Sequence, residues 1–124
     1  MNAPHLQVDL LAVPKAVPEL RHVVRGYLGD RCPEVQLCVS ELLGNVIRHV
    51  GEGTPVRVRL SRVAQGRTRV EVTDPDPRAL PVLLSTTGDD EYGRGLVLLD
   101  AVALRWGVEQ GSASKTVWCE VGEA

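Results

Sequence analysis

Two neighbouring segments with regular alternation constrain the fold of this chain more than any other feature. In "VRVRLSRV", residues 56–63, valine and leucine alternate with arginine and serine, and in "TRVEVTD", residues 68–74, valine alternates with arginine and glutamate. A period of two is typical of a strand with one buried face. Two such strands around the short, glycine-containing turn "AQGR" predict a β-hairpin. The chain must therefore build a sheet with one apolar face, and other parts of the chain must cover that face.

Helical periodicity predicts helices that can cover this face. Pro14 and Pro18 open a first helical pattern that ends near Gly29, with Pro18 tolerated in the first turn. A second helix is predicted from Pro33 to Val50, and a third begins at "GRGLVLLDAVA", residues 93–103. At 100° per residue one sector of the second helix is apolar and predicts a core face, formed by Val35, Val39, Leu43, Val46 and Val50.

The remaining segments complete an α+β architecture. Residues 6–12 predict a first strand, and "LRWGVEQ" and "KTVWCEV", residues 104–110 and 115–121, predict two closing strands around "GSAS". Residues 75–92 contain three prolines and little periodicity, which indicates a long loop. We expect one domain over residues 1–124. Its predicted fold is a two-layer α/β sandwich with a mixed, mostly antiparallel sheet and about three helices on one face.

Composition narrows the classes of function. Aromatic residues make up 3% of the chain and phenylalanine is absent, so the core must be built from Val, Leu, Ile and Ala. A net charge of −2 gives no electrostatic case for binding nucleic acid or an anionic membrane. The three cysteines fit neither a disulfide framework nor a zinc site, and we expect Cys38 and Cys119 to be small buried hydrophobes. Without a signal-peptide pattern or an apolar run of about 20 residues, a cytoplasmic protein is expected.

The second helix carries a polar stripe in "SELLGNVIRHV", residues 40–50. Glu41, Asn45 and His49 recur every four residues and therefore lie along one flank, beside the core face. One interpretation is a solvated flank, which is common on surface helices. The other is that the stripe borders a cavity beneath the helix.

Two further features also allow two interpretations. Asp74 shares the apolar face of its strand, so its carboxylate must be solvated, paired or ligand-facing; equally, "TDPDP" is good turn chemistry. In "GDDEYGRGL", Gly93 and Gly95 bracket Arg94 before an apolar helix, an arrangement that suits phosphate but also serves as a simple loop exit. Each feature alone is a weak signal.

Taken in order, these motifs resemble the GHKL ATPase fold of gyrase and histidine kinases. The resemblance is strongest to its small single-domain branch, the anti-sigma factor serine kinases and their relatives, and covers about residues 33–121. "ELLGNVIRH" is similar to the N box of that branch, "VEVTDPDPR" to its first glycine box and "GRGLVLLDAVALRWGV" to its second. "KTVWCEV" is similar to its closing strand.

The resemblance implies roles for three residues. Asn45 would coordinate a Mg²⁺ ion that bridges the phosphates of ATP. Glu41 would act as general base on the attacking hydroxyl of a serine or of water. Asp74 would accept a hydrogen bond from the adenine amino group, so Asp74→Asn is expected to abolish most adenine selectivity and leave the fold intact. Glu41 and Asn45 are expected to share one pocket with Asp74.

The resemblance also implies a phosphate lid and further base contacts. Gly93, Arg94, Gly95 and Leu96 would wrap the phosphates in the same pocket, and Thr116 would help to hold the adenine through a water molecule. Asp76 would lie near the base, but it departs from the family pattern Asp-x-Gly.

Competing functions follow from these features. The first is a Mg-ATP-dependent protein serine kinase that binds a sigma factor and phosphorylates an antagonist protein, and a homodimer fits this class. The second is a docking module on the same fold with weak or no ATP binding. A metabolic enzyme is disfavoured, because no Ser/His/Asp or Cys/His set is apparent. The Glu41, Asn45 and Asp74 set favours the kinase, whereas Asp76 and the acidic run "DDE" at residues 89–91 favour the docking module.

Overall fold

A computed structural model describes residues 5–29, 33–63, 66–77 and 102–122 of the chain. These residues form a five-stranded sheet in the order β1-β2-β3-β5-β4, together with two helices. In chain order the elements are β1 (His5–Ala12), α1 (Ala16–Leu28), α2 (Pro33–His49), β2 (Thr54–Val63), β3 (Arg67–Asp74), β4 (Arg105–Gln110) and β5 (Lys115–Gly122).

The predicted hairpin is confirmed, and its register puts the apolar residues of both strands on one face. Val58 lies opposite Val72, and Leu60 lies opposite Val70. These side chains are buried, whereas the arginines between them on β2 are exposed. Because side chains alternate along a strand, one face of the sheet packs on the helices and the other carries the polar residues.

The helices form where proline and glycine allow them to begin and end. Pro18 lies in the first turn of α1, where its missing N–H breaks no helical hydrogen bond. Gly29 follows the last residue with a φ of 79°, a conformation that suits glycine, and its N–H donates to the Arg25 carbonyl. Both helices turn a stripe of valine and leucine toward the sheet.

The core confirms the expectation drawn from composition. Its fully buried apolar side chains in the described part of the chain are valine, leucine, alanine and cysteine, without an aromatic ring. Cys38 and Cys119 are both buried there as free thiols. Each buried valine or leucine contributes about 1.5–3 kcal/mol relative to exposure, so many small contacts replace a few aromatic anchors.

Two points refine the sequence prediction. The predicted α+β fold with a mostly antiparallel sheet is confirmed, and within the described strands all four pairings are antiparallel, with no parallel member. The reason is that β4 and β5 form a hairpin, and β5 inserts antiparallel beside β3. The described residues contain two helices, since most of the third predicted helix and of the predicted loop at 75–92 lies outside them. Neither described helix has both the length and the apolar character needed to cross a lipid bilayer.

The polar face of the sheet is held by ion pairs across neighbouring strands. Glu120 on β5 accepts from Arg105 Nε at 2.9 Å and from Arg69 Nη1 at 3.1 Å. The Arg69 guanidinium also stacks on the Trp118 ring, 4.2 Å from its centroid. These contacts tie β3, β5 and β4 together on the side away from the helices.

Candidate functional site

The polar stripe on α2 is buried or half-buried in the structure. Asn45 is only 6% exposed, and Glu41 and His49 are half-buried. This excludes a fully solvated flank as the explanation of the stripe. The helix sets the arrangement, because residues four positions apart lie one above the other on the same side.

Arg48 completes this stripe, and sequence reasoning missed it. Its Nη2 donates to the Asn45 side-chain oxygen at 3.0 Å. The guanidinium lies across Gly44, where an added Cβ atom would be 3.0 Å from Arg48 Nη1. The signal was present in the sequence, because a residue three positions after Asn45 must neighbour it on a helix.

The electrostatics of the stripe act on Glu41. Burial raises the pKa of the Glu41 carboxyl above its ordinary value, and the positive charge of Arg48 partly opposes this shift. A carboxylate with a raised pKa is a stronger base than an exposed one. Glu41 thus has the character that its predicted role requires.

Asp74 ends β3 on the helix-facing side of the sheet and is 2% exposed. Its Oδ1 accepts from the Asp76 backbone N–H at 2.8 Å, so Asp74 also forms the turn that the sequence suggested. Its Oδ2 is buried and accepts no hydrogen bond in the described part of the chain. The structure therefore combines both interpretations of Asp74 and leaves one acceptor atom unused, which fits a donor such as an adenine amino group.

A buried lysine, also missed from the sequence, stands beside Asp74. Lys115 is 2% exposed, and its Nζ lies 3.3 Å from each carboxylate oxygen of Asp74. The same ammonium donates to the Asp76 carbonyl at 3.1 Å. The signal was the alternation of β5, which places Lys115 in phase with buried Val117 and Cys119. Lysine is rarely buried in proteins, so its residue type argues against the buried position that its phase in the strand indicates.

Thr116 lies on the other face of the sheet. Its hydroxyl is 2.7 Å from the Thr73 hydroxyl of the facing strand, and it alternates with the buried Lys115. Its contact to a nucleobase stays a prediction, and this placement argues against a direct one.

A cleft of about 640 Å³ opens at the end of the sheet where β1, β2 and β3 meet the β4–β5 turn. Asp74 and Ser114, the residue before Lys115, both line it. Among the described residues at its walls, neither Glu41 nor Asn45 is found. Gly93, Arg94, Gly95 and Leu96 lie outside the described residues. A pocket shared by the stripe, Asp74 and the lid therefore stays a prediction.

The donor set around Asn45 bears on a metal ion. Within the described ranges no group of three or more His, Cys, Asp or Glu side chains converges on one point. A Mg²⁺ ion at Asn45 would thus take most of its ligands from phosphate oxygens and water, as this ion commonly does. The neutral amide oxygen of Asn45 fits such a role.

Comparison with solved structures supports the fold. The structure of the RsbU and RsbW domains of Rv1364c from Mycobacterium tuberculosis superposes with a TM-score of 0.71 at 17% identity, covering 97% of this chain and 32% of that one. The histidine kinase domain of the Erythrobacter litoralis EL346 blue-light activated kinase superposes with a TM-score of 0.53 at 16% identity, covering 86% and 59%. The chain thus spans about a third of the first of these proteins and less than two thirds of the second.

Comparison with known sequences identifies the family. An uncharacterized protein of Streptomyces coelicolor, SCO4941, is 55% identical over 83 residues, which is 66% of this chain and 79% of that protein. The family model for the histidine kinase-like ATPase domain matches residues 10–120. Because this match covers most of the chain, the protein belongs to the histidine kinase-like ATPase domain family.

Proposed function

We propose that this protein is a Mg-ATP-dependent protein serine kinase of the anti-sigma type. It transfers the γ-phosphate of ATP to a serine of an antagonist protein, binds a sigma factor, and acts in the cytoplasm as a homodimer. Membership in a family of ATPase domains supports the nucleotide. The ordered motifs that resemble anti-sigma factor kinases support the choice of substrate and partner.

One observation carries the proposal. Within about two turns of α2 the fold gathers Glu41 with a raised pKa, the buried amide of Asn45 and the guanidinium of Arg48. Phosphoryl transfer needs positioning, charge stabilisation and a group that accepts the proton of the nucleophile. These three side chains offer one group for each requirement.

Each side chain has a separate task in this proposal. Mg-ATP supplies the phosphoryl group and the charge that offsets the phosphates. Glu41 accepts the proton of the serine hydroxyl as that oxygen attacks. Asn45 would hold a bound Mg²⁺ through its amide oxygen, and Arg48, which contacts this oxygen, would provide positive charge for the phosphates. Asp74 holds the adenine amino group through its unused carboxylate oxygen.

A second candidate, a docking module with weak or no ATP binding, is favoured by a different observation. Both predicted ligand-binding groups already have internal partners: Asn45 accepts from Arg48, and Asp74 pairs with Lys115. A ligand would have to share or replace these contacts. The charge pair at Asp74 is the costlier of the two to disturb, because both groups are buried.

The two candidates differ in whether Mg-ATP binds. Calorimetric titration of the full chain with Mg-ATP should show binding, and Asn45→Ala should weaken it by removing a metal ligand. Glu52→Ala is the matched control, because Glu52 is exposed just after α2. Equal affinity in the two variants would contradict the role of Asn45, and no binding by the wild type would favour the docking module.

Transfer can be tested separately from binding. The wild-type chain, incubated with γ-labelled ATP and a protein extract of its source organism, should label serine residues that mass spectrometry can locate. Glu41→Ala should bind Mg-ATP but not label these serines. Labelling that persists in Glu41→Ala would show that another group, or another kinase, is responsible.

A further inference from the structure

The buried pair of Lys115 and Asp74 has unused hydrogen-bonding capacity. A lysine ammonium has three N–H donors, and Lys115 spends two of them, on Asp74 Oδ1 and on the Asp76 carbonyl. The third makes no hydrogen bond in the part of the chain that the structure describes. Asp74 Oδ2, 3.3 Å from Nζ, accepts no hydrogen bond there either. One donor and one acceptor therefore stand side by side, both withheld from water.

Unsatisfied buried polar groups are costly, and a pair of this kind points to a ligand that offers the complementary pair. The edge of a nucleobase has this property, because a donor and an acceptor occupy adjacent positions on it. Asp74 lines the cleft at the end of the sheet, and Ser114, directly before Lys115, lines it too. The pair is thus located where a base entering from the cleft could meet it.

We propose that Lys115 is a specificity-determining residue for the nucleotide, and that its ammonium donates directly to N1 of adenine while Asp74 Oδ2 accepts from the 6-amino group. This inference rests on the proposed function, since it names a base contact within the same nucleotide site. It gives the lysine a role that the predicted water-mediated contact of Thr116 would otherwise fill. The ammonium needs no intervening water, because it lies beside the carboxylate already.

The order of the two groups discriminates between purines. Adenine offers a donor at position 6 and an acceptor at N1, whereas guanine offers an acceptor at position 6 and a donor at N1. The pairing of β3 with β5 fixes the positions of the carboxylate and the ammonium. A guanine in the same pose would place its acceptor at position 6 against the carboxylate and its N1–H donor against the ammonium. The protein should therefore prefer ATP to GTP, and Lys115 should contribute to this preference.

Modified nucleotides test the contact without altering the protein. In 1-deaza-ATP a C–H group replaces N1, so the acceptor for Lys115 is lost and the 6-amino group is kept. The wild-type chain should bind 1-deaza-ATP with Mg²⁺ roughly ten- to a hundredfold more weakly than ATP, the usual effect of losing a hydrogen bond to a charged group. The matched control is 7-deaza-ATP, which keeps both groups read by the pair and should bind like ATP.

The variant Lys115→Met tests the same contact by altering the protein instead of the nucleotide. It should bind ATP more weakly than the wild type and no longer distinguish ATP from 1-deaza-ATP, because the donor is gone. A purely structural role would weaken both nucleotides equally and leave the difference between them intact, which would overturn the proposal. Should Lys115→Met fail to fold, Lys115→Gln, which keeps a neutral donor, should show a reduced difference.

The outcomes distinguish the proposed role of Lys115 from the proposed kinase function on which it rests. Equal affinity of the wild type for ATP and 1-deaza-ATP would overturn the role of Lys115 and leave nucleotide binding intact. Binding of neither ATP nor 1-deaza-ATP by the wild type would overturn the proposed kinase, and the nucleobase role of Lys115 with it.

Discussion

Replacing Asp74 by asparagine should unfold the protein at a markedly lower temperature. The carboxylate compensates the buried ammonium of Lys115, with 3.3 Å between Nζ and each of its oxygens. Asparagine keeps an oxygen for the Asp76 N–H but leaves the lysine charge buried without a counterion. From the sequence alone Asp74→Asn was expected to leave the fold intact, and the buried lysine changes that expectation.

The magnitude follows from the burial of both partners. Breaking a buried ion pair by removing one charge costs about 3–5 kcal/mol, a large share of the roughly 5–15 kcal/mol that stabilises a typical domain. For a chain of this length 1 kcal/mol corresponds to about 4 °C, so the midpoint of thermal unfolding should fall by roughly 12–20 °C. Scanning calorimetry without nucleotide measures both the midpoint and the enthalpy.

A double-mutant cycle provides the control. Lys115→Met alone leaves the carboxylate unpaired, whereas Asp74→Asn combined with Lys115→Met removes both charges. The double variant should therefore be less destabilised than the sum of the two single variants. The buried ion pair would be refuted if Asp74→Asn lowered the free energy of unfolding by less than about 1 kcal/mol and if the effects of the two single substitutions added up to that of the double variant within about 0.5 kcal/mol.

Three further predictions concern groups outside this pair. Glu41→Ala should leave the calorimetric affinity for Mg-ATP nearly unchanged but slow phosphoryl transfer by ~10²–10⁴-fold, the usual contribution of a general base; an unchanged transfer rate would exclude Glu41 as that base. Because burial raises the pKa of Glu41 above its ordinary 4.5, wild-type transfer should be lost as pH falls through this raised value, and residual transfer by Glu41→Ala should lack this step in its pH profile. Hydrogen bonding from Arg105 lowers the pKa of Glu120 below 4.5, so the stability that its carboxylate adds is present above pH 4.5 and is lost as pH falls through the lower folded value. Denaturant unfolding should thus show the largest difference between wild type and Glu120→Gln above pH 4.5, and an equal difference at strongly acid pH would contradict the pairing.

Local patterns predicted most of the elements, because they depend on short-range periodicity. The helical period of α2 predicted a core face of Val35, Val39, Leu43, Val46 and Val50; the first four are buried, and Val50, just after the helix, is half-buried against the core. The alternation of β3 placed Asp74 on the helix-facing side, where it lies. The order of the strands in the sheet could not be predicted from alternation, because alternation determines which face of the sheet a residue occupies and not which strand lies next to it.

The candidate site was predictable only in part, because its contacts join distant segments. The spacing of Glu41 and Asn45 on one helix was sufficient to predict their common flank. The pairing of Asp74 with Lys115 joins residues 41 positions apart and depends on β5 lying beside β3. No pattern within either strand contains that information.

Because β5 lies between β3 and β4, the register that places Asp74 opposite Lys115 is set by the strands alone. The chain leaves the sheet after Asp74 and re-enters it at Arg105, on the far side of β5. An exchange of residues 78–101, which include Gly93–Leu96, for those of a relative would leave the strands that hold Asp74 opposite Lys115 unchanged in sequence. Chimeras of this kind would therefore measure what the predicted lid residues contribute to the choice of ligand, with the sheet held constant.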